Sequence, residues 1–336
     1  MSEFLKLSDP VAWPIAAAAA RLVPKRSPPA SSRVLVLRPG GMGDLILAQL
    51  AWEALGMPQT EVEWVIERRS EVWARHARLN YQCYDQNSWA TFRRLAGCYP
   101  LVINSEQRFG LSQAFAAACV SKGGALWAFA TNRGAALGRT VPYDWRDEHE
   151  SSAFHRLFSA AVGRPERIGL LRPVRREMAS GPRVIGLAGL EVPSRRLDEA
   201  AYVDLIRPWL RSESAVICCS PRDRLFAEAL ARHWPGQVAV YQEGFDAMCQ
   251  TIARAPGIFC MDGGMVHIAS YYGVPATVVF TSGRRNKWAP LAPGSTLLCR
   301  TDLACQPCAR FGQVPPCRHG YACKRVGYIE HSHPLP

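Results

Sequence analysis

Short β-branched apolar runs alternate along this chain with stretches whose apolar residues recur at helical spacing. Residues 33–38, Arg-Val-Leu-Val-Leu-Arg, form such a run and predict a buried strand. A glycine turn follows, and residues 45–55 carry a helix-spaced pattern. Further strands are predicted at 62–66 and 101–104, with helices at 70–78 and 112–118. A basic stretch with Pro165, Pro173 and Pro182 has no clean period, and beyond it the alternation restarts more clearly. It predicts strands at 183–188, 215–219, 238–241, 257–261 and 277–280, with helices at 199–210, 223–234, 245–255 and 264–272. Such alternation implies mostly parallel sheets covered by helices. At 336 residues the chain exceeds what one core usually supports. The expected fold class is α/β, with one domain at 33–165, a linker at 166–182 and a second domain at 183–303. Residues 1–32 form a helix and linker before them, and 304–336 a cysteine-bearing tail after them. Ligands of such sheets sit outside the carboxyl ends of the strands. Two such domains imply a cleft that suits a two-substrate enzyme.

The N-terminal segment is apolar over residues 11–20, but Pro14 interrupts it. It is shorter than the about 20 apolar residues a bilayer span needs. Only Lys6 precedes it, so a signal peptide is not expected. Arg21, Lys25 and Arg26 follow, and the expected role is a helix docked on a domain or resting on an anionic membrane surface. Composition, 48% apolar and 20% charged, excludes disorder throughout. The net charge of +12 attracts phosphates in some form. Long Lys/Arg runs are absent, which argues against nucleic acid as the partner. Among twelve cysteines, Cys119, Cys218, Cys219 and Cys260 sit in apolar contexts, as buried thiols of a reducing cytosol do.

Two glycine loops carry the candidate chemistry. Gly40-Gly41-Met42-Gly43-Asp44 follows a strand and opens a helix. Free N–H groups and the positive dipole end at such a turn suit an anion or a developing negative charge. Asp44 reads either as a cap or first-turn carboxylate or as a general base. The loop is neither GxGxxG nor a P-loop, which argues against a dinucleotide oxidoreductase. The second loop, Asp262-Gly263-Gly264-Met265-Val266-His267-Ile268-Ala269-Ser270, is followed by Gly273-Val274-Pro275. It also follows a strand and opens a helix, where a diphosphate would sit well, and Asp262 is placed to cap.

These paired loops, Arg-Pro-Gly-Gly-Met-Gly-Asp early and Asp-Gly-Gly-Met-Val-His-Ile-Ala…Gly-Val-Pro late, resemble glycosyltransferase family 9, the lipopolysaccharide heptosyltransferase family. The resemblance covers residues 33–325. It implies a GT-B fold of two Rossmann-like domains facing across a cleft, acceptor on the first and nucleotide-sugar on the second. It implies inverting, metal-independent transfer from an ADP-heptose-type donor. Asp44 matches the family's base, with Gly40, Gly41, Met42 and Gly43 forming its loop. Asp262, Gly263, Gly264, Met265 and His267 match the donor-phosphate loop. Arg195 falls where the family has a phosphate-binding Lys before a Trp; here Arg196 and Leu197 follow it, so Arg replaces Lys and the Trp is missing. The loop after the later strand reads Phe280-Thr281-Ser282-Gly283, followed by Arg284, Arg285, Asn286 and Lys287, cations suited to a donor phosphate or a phosphorylated acceptor. The resemblance leaves a lipopolysaccharide core sugar, a glycan, a natural product or a protein hydroxyl as acceptor. It implies a cytoplasmic enzyme, in peripheral contact with the inner face of the inner membrane.

Cys305-x2-Cys308-x8-Cys317-x5-Cys323 is a compact thiol cluster with the spacing of a structural tetrathiolate site, zinc or iron. His319 is a substitute ligand, and the autotransporter-protein heptosyltransferases within the resembling family carry a comparable finger. The competing reading is a nucleotide- or RNA-binding protein with a metal knuckle and no transferase activity. It needs exposed aromatic platforms, for which Trp127, Trp145 and Trp288 are the candidates.

Overall fold

The structure, a computed structural model, describes residues 3–27, 34–166, 171, 173, 177–300, 302–310, 314–325 and 329–332. The chain divides into two compact units: Met1–Asp144 with Glu150–Leu171, and Trp145–His149 with Arg172–Pro336. Residues 167–170, 172 and 174–176 of the expected linker, and Arg33 at the expected start of the first strand, lie outside the described residues.

The first unit is built on strands β1 (Val34–Arg38), β2 (Val62–Ile66), β3 (Tyr81–Cys83), β4 (Tyr99–Asn104), β5 (Val120–Phe129) and β6 (Arg139–Val141). Their order is β3-β2-β1-β4-β5-β6, all parallel. Its helices are α1 (Glu3–Arg21), α2 (Met42–Glu53), α3 (Glu71–His76), α4 (Ser88–Leu95), α5 (Gly110–Cys119) and α6 (Glu150–Val162). The strand order reverses between β1 and β4, the point where a doubly wound sheet opens its ligand crevice. Leu35 and Leu37 enter one buried cluster with Val65, Val102 and Ala116. On the α2 and α6 side, Trp52 and Trp64 meet Phe158 edge-on at 5.8 and 6.3 Å between ring centroids.

The expected N-terminal helix forms as α1, which runs through both Pro10 and Pro14. Both prolines lie on its exposed side. The opposite side packs on α5. There the buried carboxylate of Asp9 accepts the N–H groups of Gly110 (3.2 Å) and Leu111 (2.8 Å) and the Arg133 guanidinium (2.9 Å). Asp9 thus caps a helix a hundred residues away, at its positive end. A methyl added at Gly110 would lie 2.5 Å from Trp13 Cγ, so the docked indole requires glycine there.

The second unit repeats the plan with β7 (Arg183–Leu187), β8 (Ala215–Cys219), β9 (Val238–Val240), β10 (Ile258–Met261), β11 (Ala276–Phe280), β12 (Thr296–Cys299) and β13 (Ile329–Ser332). Helices α7 (Glu199–Leu210), α8 (Arg224–Ala231), α9 (Phe245–Arg254), α10 (Gly264–Tyr272) and the short α11 (Arg285–Trp288) complete it. The order is β13-β12-β11-β10-β7-β8-β9, with β13 antiparallel at the edge and the other six parallel. Without β13 this is the order of the first sheet again, reversing between β7 and β10. The α/β fold is of the GT-B class, two Rossmann-like units.

Candidate functional site

In the first unit the expected loop sits at the point of strand reversal. Helix α2 begins at Met42, three residues before its expected start, so Asp44 lies in its first turn; Gly41 is the N-cap, and no side chain caps the helix. Asp44 is held by Arg38, whose Nη2 donates to Asp44 Oδ2 at 3.0 Å. Arg38 itself is buried at the end of β1; its Nη1 donates to the Ser105 carbonyl at 2.7 Å, and its guanidinium lies 5.2 Å from the centroid of the Phe154 ring. Asp44 remains 28% exposed, so one face of the carboxylate is open to a substrate. Gly40 is needed for this arrangement, because a methyl there would lie 2.7 Å from Arg38 Nη2. Gly41 has nothing within 4 Å of such a methyl, and its backbone is extended.

Residues outside the expected set complete this corner. Glu106, after β4, is buried, and burial pushes its carboxyl above the ordinary range, against the pull of Arg38. Burial opposes the charge on Arg38, while Asp44, Glu106 and Glu150 raise its pKa. Tyr143 donates to Glu150 Oε1 at 2.6 Å, and Gln107 Nε2 to Glu150 Oε2 at 3.2 Å. These residues come from four separate segments; Arg38 before the glycine turn was the only local signal.

In the second unit the structure brings Arg195 and Asp262 together. Arg195 ends a 3-10 turn, Pro193–Arg195, and its Nη2 donates to Asp262 Oδ2 at 3.0 Å. Asp262 therefore does not cap α10, as expected from its position; Gly263 is the N-cap, with no side-chain bond. Gly263 and Gly264 leave the α10 N-terminus clear of side chains beside this ion pair. Gly283, from the loop after β11, closes in from the other side: a methyl there would lie 1.9 Å from Asp262 Oδ2. Ser194 and Ser282 hydroxyls hydrogen-bond at 2.8 Å and tie the two loops together. Met265 and His267 are buried in the first turns of α10. Lys287 is also buried, in α11, and its ammonium donates to the Glu148 carbonyl at 3.3 Å. Arg284 and Arg285 line a separate cavity of about 220 Å3 with Arg146 and Arg300. Two guanidiniums lie over the Trp145 ring, with the central carbons of Arg146 and Arg284 at 5.1 and 4.8 Å from its centroid.

The cysteine segment packs on this same loop region. Gln306 Nε2 donates to the Phe280 carbonyl at 3.1 Å, Ala309 N to the Ser282 carbonyl at 2.9 Å, and Arg284 Nε to the Ala309 carbonyl at 3.1 Å. Cys305, Cys308, Cys317 and Cys323 all line one cavity of about 370 Å3, together with Ser194 and Thr281. Cys317 Sγ accepts the backbone N–H groups of His319 at 3.4 Å and Tyr321 at 3.3 Å, the arrangement that stabilises a thiolate at a metal knuckle. Burial, then charge on Cys308, Cys317 and Cys305, raises the Cys323 thiol. The thiols gather around one space without meeting at a point: among the described residues no group of three or more His, Cys, Asp or Glu is placed to hold a metal ion. Cys119, Cys218 and Cys260 are buried and Cys219 half-buried; burial pushes the Cys218 thiol up to about 12.

Residues 92–318 match Glycosyltransferase family 9 (heptosyltransferase). No curated protein matches the chain closely enough to count as a relative. Among solved structures, the E. coli heptosyltransferase WaaC with ADP is similar, with a TM-score of 0.62 and 16% identity over 76% of this chain and 89% of that one. A glycosyltransferase family 9 protein from Veillonella parvula has a TM-score of 0.61 and 13% identity over 77% and 84%. E. coli ADP-heptose lps heptosyltransferase II has a TM-score of 0.58 and 14% identity over 81% and 91%. At these identities the structures show a shared fold. The family match spans more than half the chain, and the chain's two glycine loops, the second of them inside the matched residues, occupy the two points of strand reversal: the chain belongs to glycosyltransferase family 9 and is a glycosyltransferase.

Proposed function

We propose that the chain transfers heptose from an ADP-sugar to a hydroxyl acceptor, with inversion and without a catalytic metal. The observation that carries this is the placement of one acid–arginine pair at each point of strand reversal: Arg38 with Asp44, and Arg195 with Asp262. Asp44 accepts the proton of the acceptor hydroxyl as it attacks the anomeric carbon, and the carboxylate is held in place by Arg38. The diphosphate leaves with added charge, which the α10 N-terminus and Arg195 stabilise. WaaC was solved with ADP, which fits an adenine nucleotide donor here. The acceptor is a lipopolysaccharide core sugar, another glycan, a natural product or a protein hydroxyl. The test is calorimetric titration of ADP, UDP and GDP into the protein. ADP binds tightest, and His267→Ala weakens it; an unchanged affinity in that variant removes the α10 loop as the donor-phosphate site.

We also propose that the four cysteines hold one structural zinc or iron. Four soft thiolates suit either metal, and the N–H···S bonds to Cys317 support the reading. The metal supplies cross-linking of the tail and takes no part in transfer.

The enzyme is proposed to act in the cytoplasm in peripheral contact with an anionic membrane. No helix among the described residues is long and apolar enough to cross one. The outer side of α1 exposes Val11 (75%) and Ile15 (71%), and Leu22 (84%) follows in the turn just past it, with Arg21, Lys25 and Arg26 nearby in sequence. Co-sedimentation with phosphatidylglycerol vesicles tests this; binding that survives Ile15→Asp with Leu22→Asp contradicts it.

A further inference from the structure

A cavity of about 460 Å3 opens in the first unit, beside the machinery at Asp44 and separate from it. Its walls are Leu37 and Pro39 at the end of β1, Tyr84 beyond β3, Trp89 and Phe92 on α4, and Phe115 on α5. That volume lies within the range of small-molecule sites, roughly 300–1,000 Å3.

Its surface is aromatic. Trp89 stacks on Phe92 at 5.8 Å with 22° between the planes, and Phe92 meets Phe115 edge-on at 5.8 Å. Trp89 nevertheless stays 68% exposed, an indole left in water at the rim. Of the polar side chains in the walls, those of Tyr84 and Ser112 are already engaged. The Tyr84 hydroxyl donates to Glu67 at 2.9 Å. The Ser112 hydroxyl donates to the Phe109 carbonyl at 2.7 Å and accepts from Asn104 Nδ2 at 3.0 Å. No Lys, Arg, Asp or Glu is among the lining residues. A sugar ring would have to desolvate several hydroxyls here against walls that are mainly apolar, and an anion would find no cation among the lining residues.

Its position ties it to the reaction. Leu37 and Pro39 flank Arg38, the residue that holds Asp44, and α5 follows β4 across the point of strand reversal. The Pro39 wall is thus the start of the turn that carries Asp44.

We propose that this cavity takes a planar aromatic ring belonging to a small hydroxyl-bearing acceptor, with Trp89 as its stacking platform. The claim rests on the reading of the first unit as the acceptor side. The ring anchors the molecule in the cavity, and its hydroxyl is the group offered to Asp44.

The test is equilibrium dialysis of 2-naphthol against the full chain, with no nucleotide present. One naphthol binds per chain; Trp89→Ala weakens it roughly fivefold, the scale of one lost aromatic pair, and Trp89→Phe recovers most of the affinity. No binding at millimolar naphthol, or an affinity unmoved by Trp89→Ala in a variant with native circular dichroism, overturns the proposal. Tighter binding of decanoate makes it an acyl-chain site, of N-acetyltryptophanamide a site for a protein-borne ring, and of methyl glucoside a sugar site; each result also overturns it. ADP titrated into the same protein separates the two readings. Naphthol binding without ADP binding removes the donor assignment and leaves the cavity, and ADP binding without naphthol binding removes only the cavity.

Discussion

Arg38 Nη2 lies 3.0 Å from Asp44 Oδ2, and that contact joins the last residue of β1 to the first turn of α2. The bond fixes the carboxylate across the glycine turn, and Gly40 leaves room for the guanidinium to pass. Asp44→Asn keeps the shape and an acceptor oxygen but loses the base. Turnover is expected to fall by roughly 10²–10⁴-fold with ADP affinity nearly unchanged, as for other general bases. Arg38→Gln is expected to lower turnover less. Steady-state kinetics with a nucleotide titration reads both; turnover retained in Asp44→Asn removes it as the base.

Gly283 lies against the donor-side pair. Its φ is not in the left-handed region, so Gly283→Ala meets only a steric problem: 1.9 Å between the new methyl and Asp262 Oδ2. Either the carboxylate or the loop must move, and Arg195 moves with it. ADP affinity is expected to drop about tenfold, about 1.4 kcal/mol, with little change in melting temperature. Titration calorimetry and thermal unfolding on the same variant check the two halves.

Helix α1 is held by Asp9. Asp9→Ala strips partners from two N–H groups of α5 and from Arg133. The cost expected is about 2–3 kcal/mol, from a lost cap and buried unsatisfied donors. Urea unfolding measures it. Asp9→Asn, which keeps one acceptor, is expected to cost less.

The contrast between α10 and Asp9 shows what was legible in the sequence. The bounds of α7, β8 and α10 agree with those read from periodicity, because each presents an uninterrupted apolar pattern between turn residues. The strand β5 was not legible: Lys122, Gly123 and Gly124 break its alternation, and pairing with β4 at Leu101–Asn104 and with β6 at Arg139–Val141 holds it in register. The short β3 and β6, three residues each, gave no pattern to read. At the site, the glycine loops announced themselves, since their chemistry is local. The pairing of Arg195 with Asp262 spans 67 residues, and Asp9 caps a residue 101 positions on. Contacts of that span are set by strand order, and no local pattern encodes them.

The thiol cluster gives a prediction independent of transfer. Elemental analysis of the purified chain is expected to find about one zinc or iron per protein. Iodoacetamide at pH 8 is expected to modify Cys305, Cys308, Cys317 and Cys323 only after chelation, while the buried Cys218 and Cys249, with thiols pushed up to about 12, stay unmodified in the folded chain. A metal-free protein of unchanged stability contradicts the finger.

The most direct measurement is hydrolysis and transfer of ADP-heptose, run beside UDP-, GDP- and other ADP-sugars, for the full chain and for Asp44→Asn. The account predicts release of ADP from ADP-heptose, faster than nucleotide release from any other donor, and its loss in Asp44→Asn. Turnover of none of these donors, or equal rates in both proteins, would contradict it.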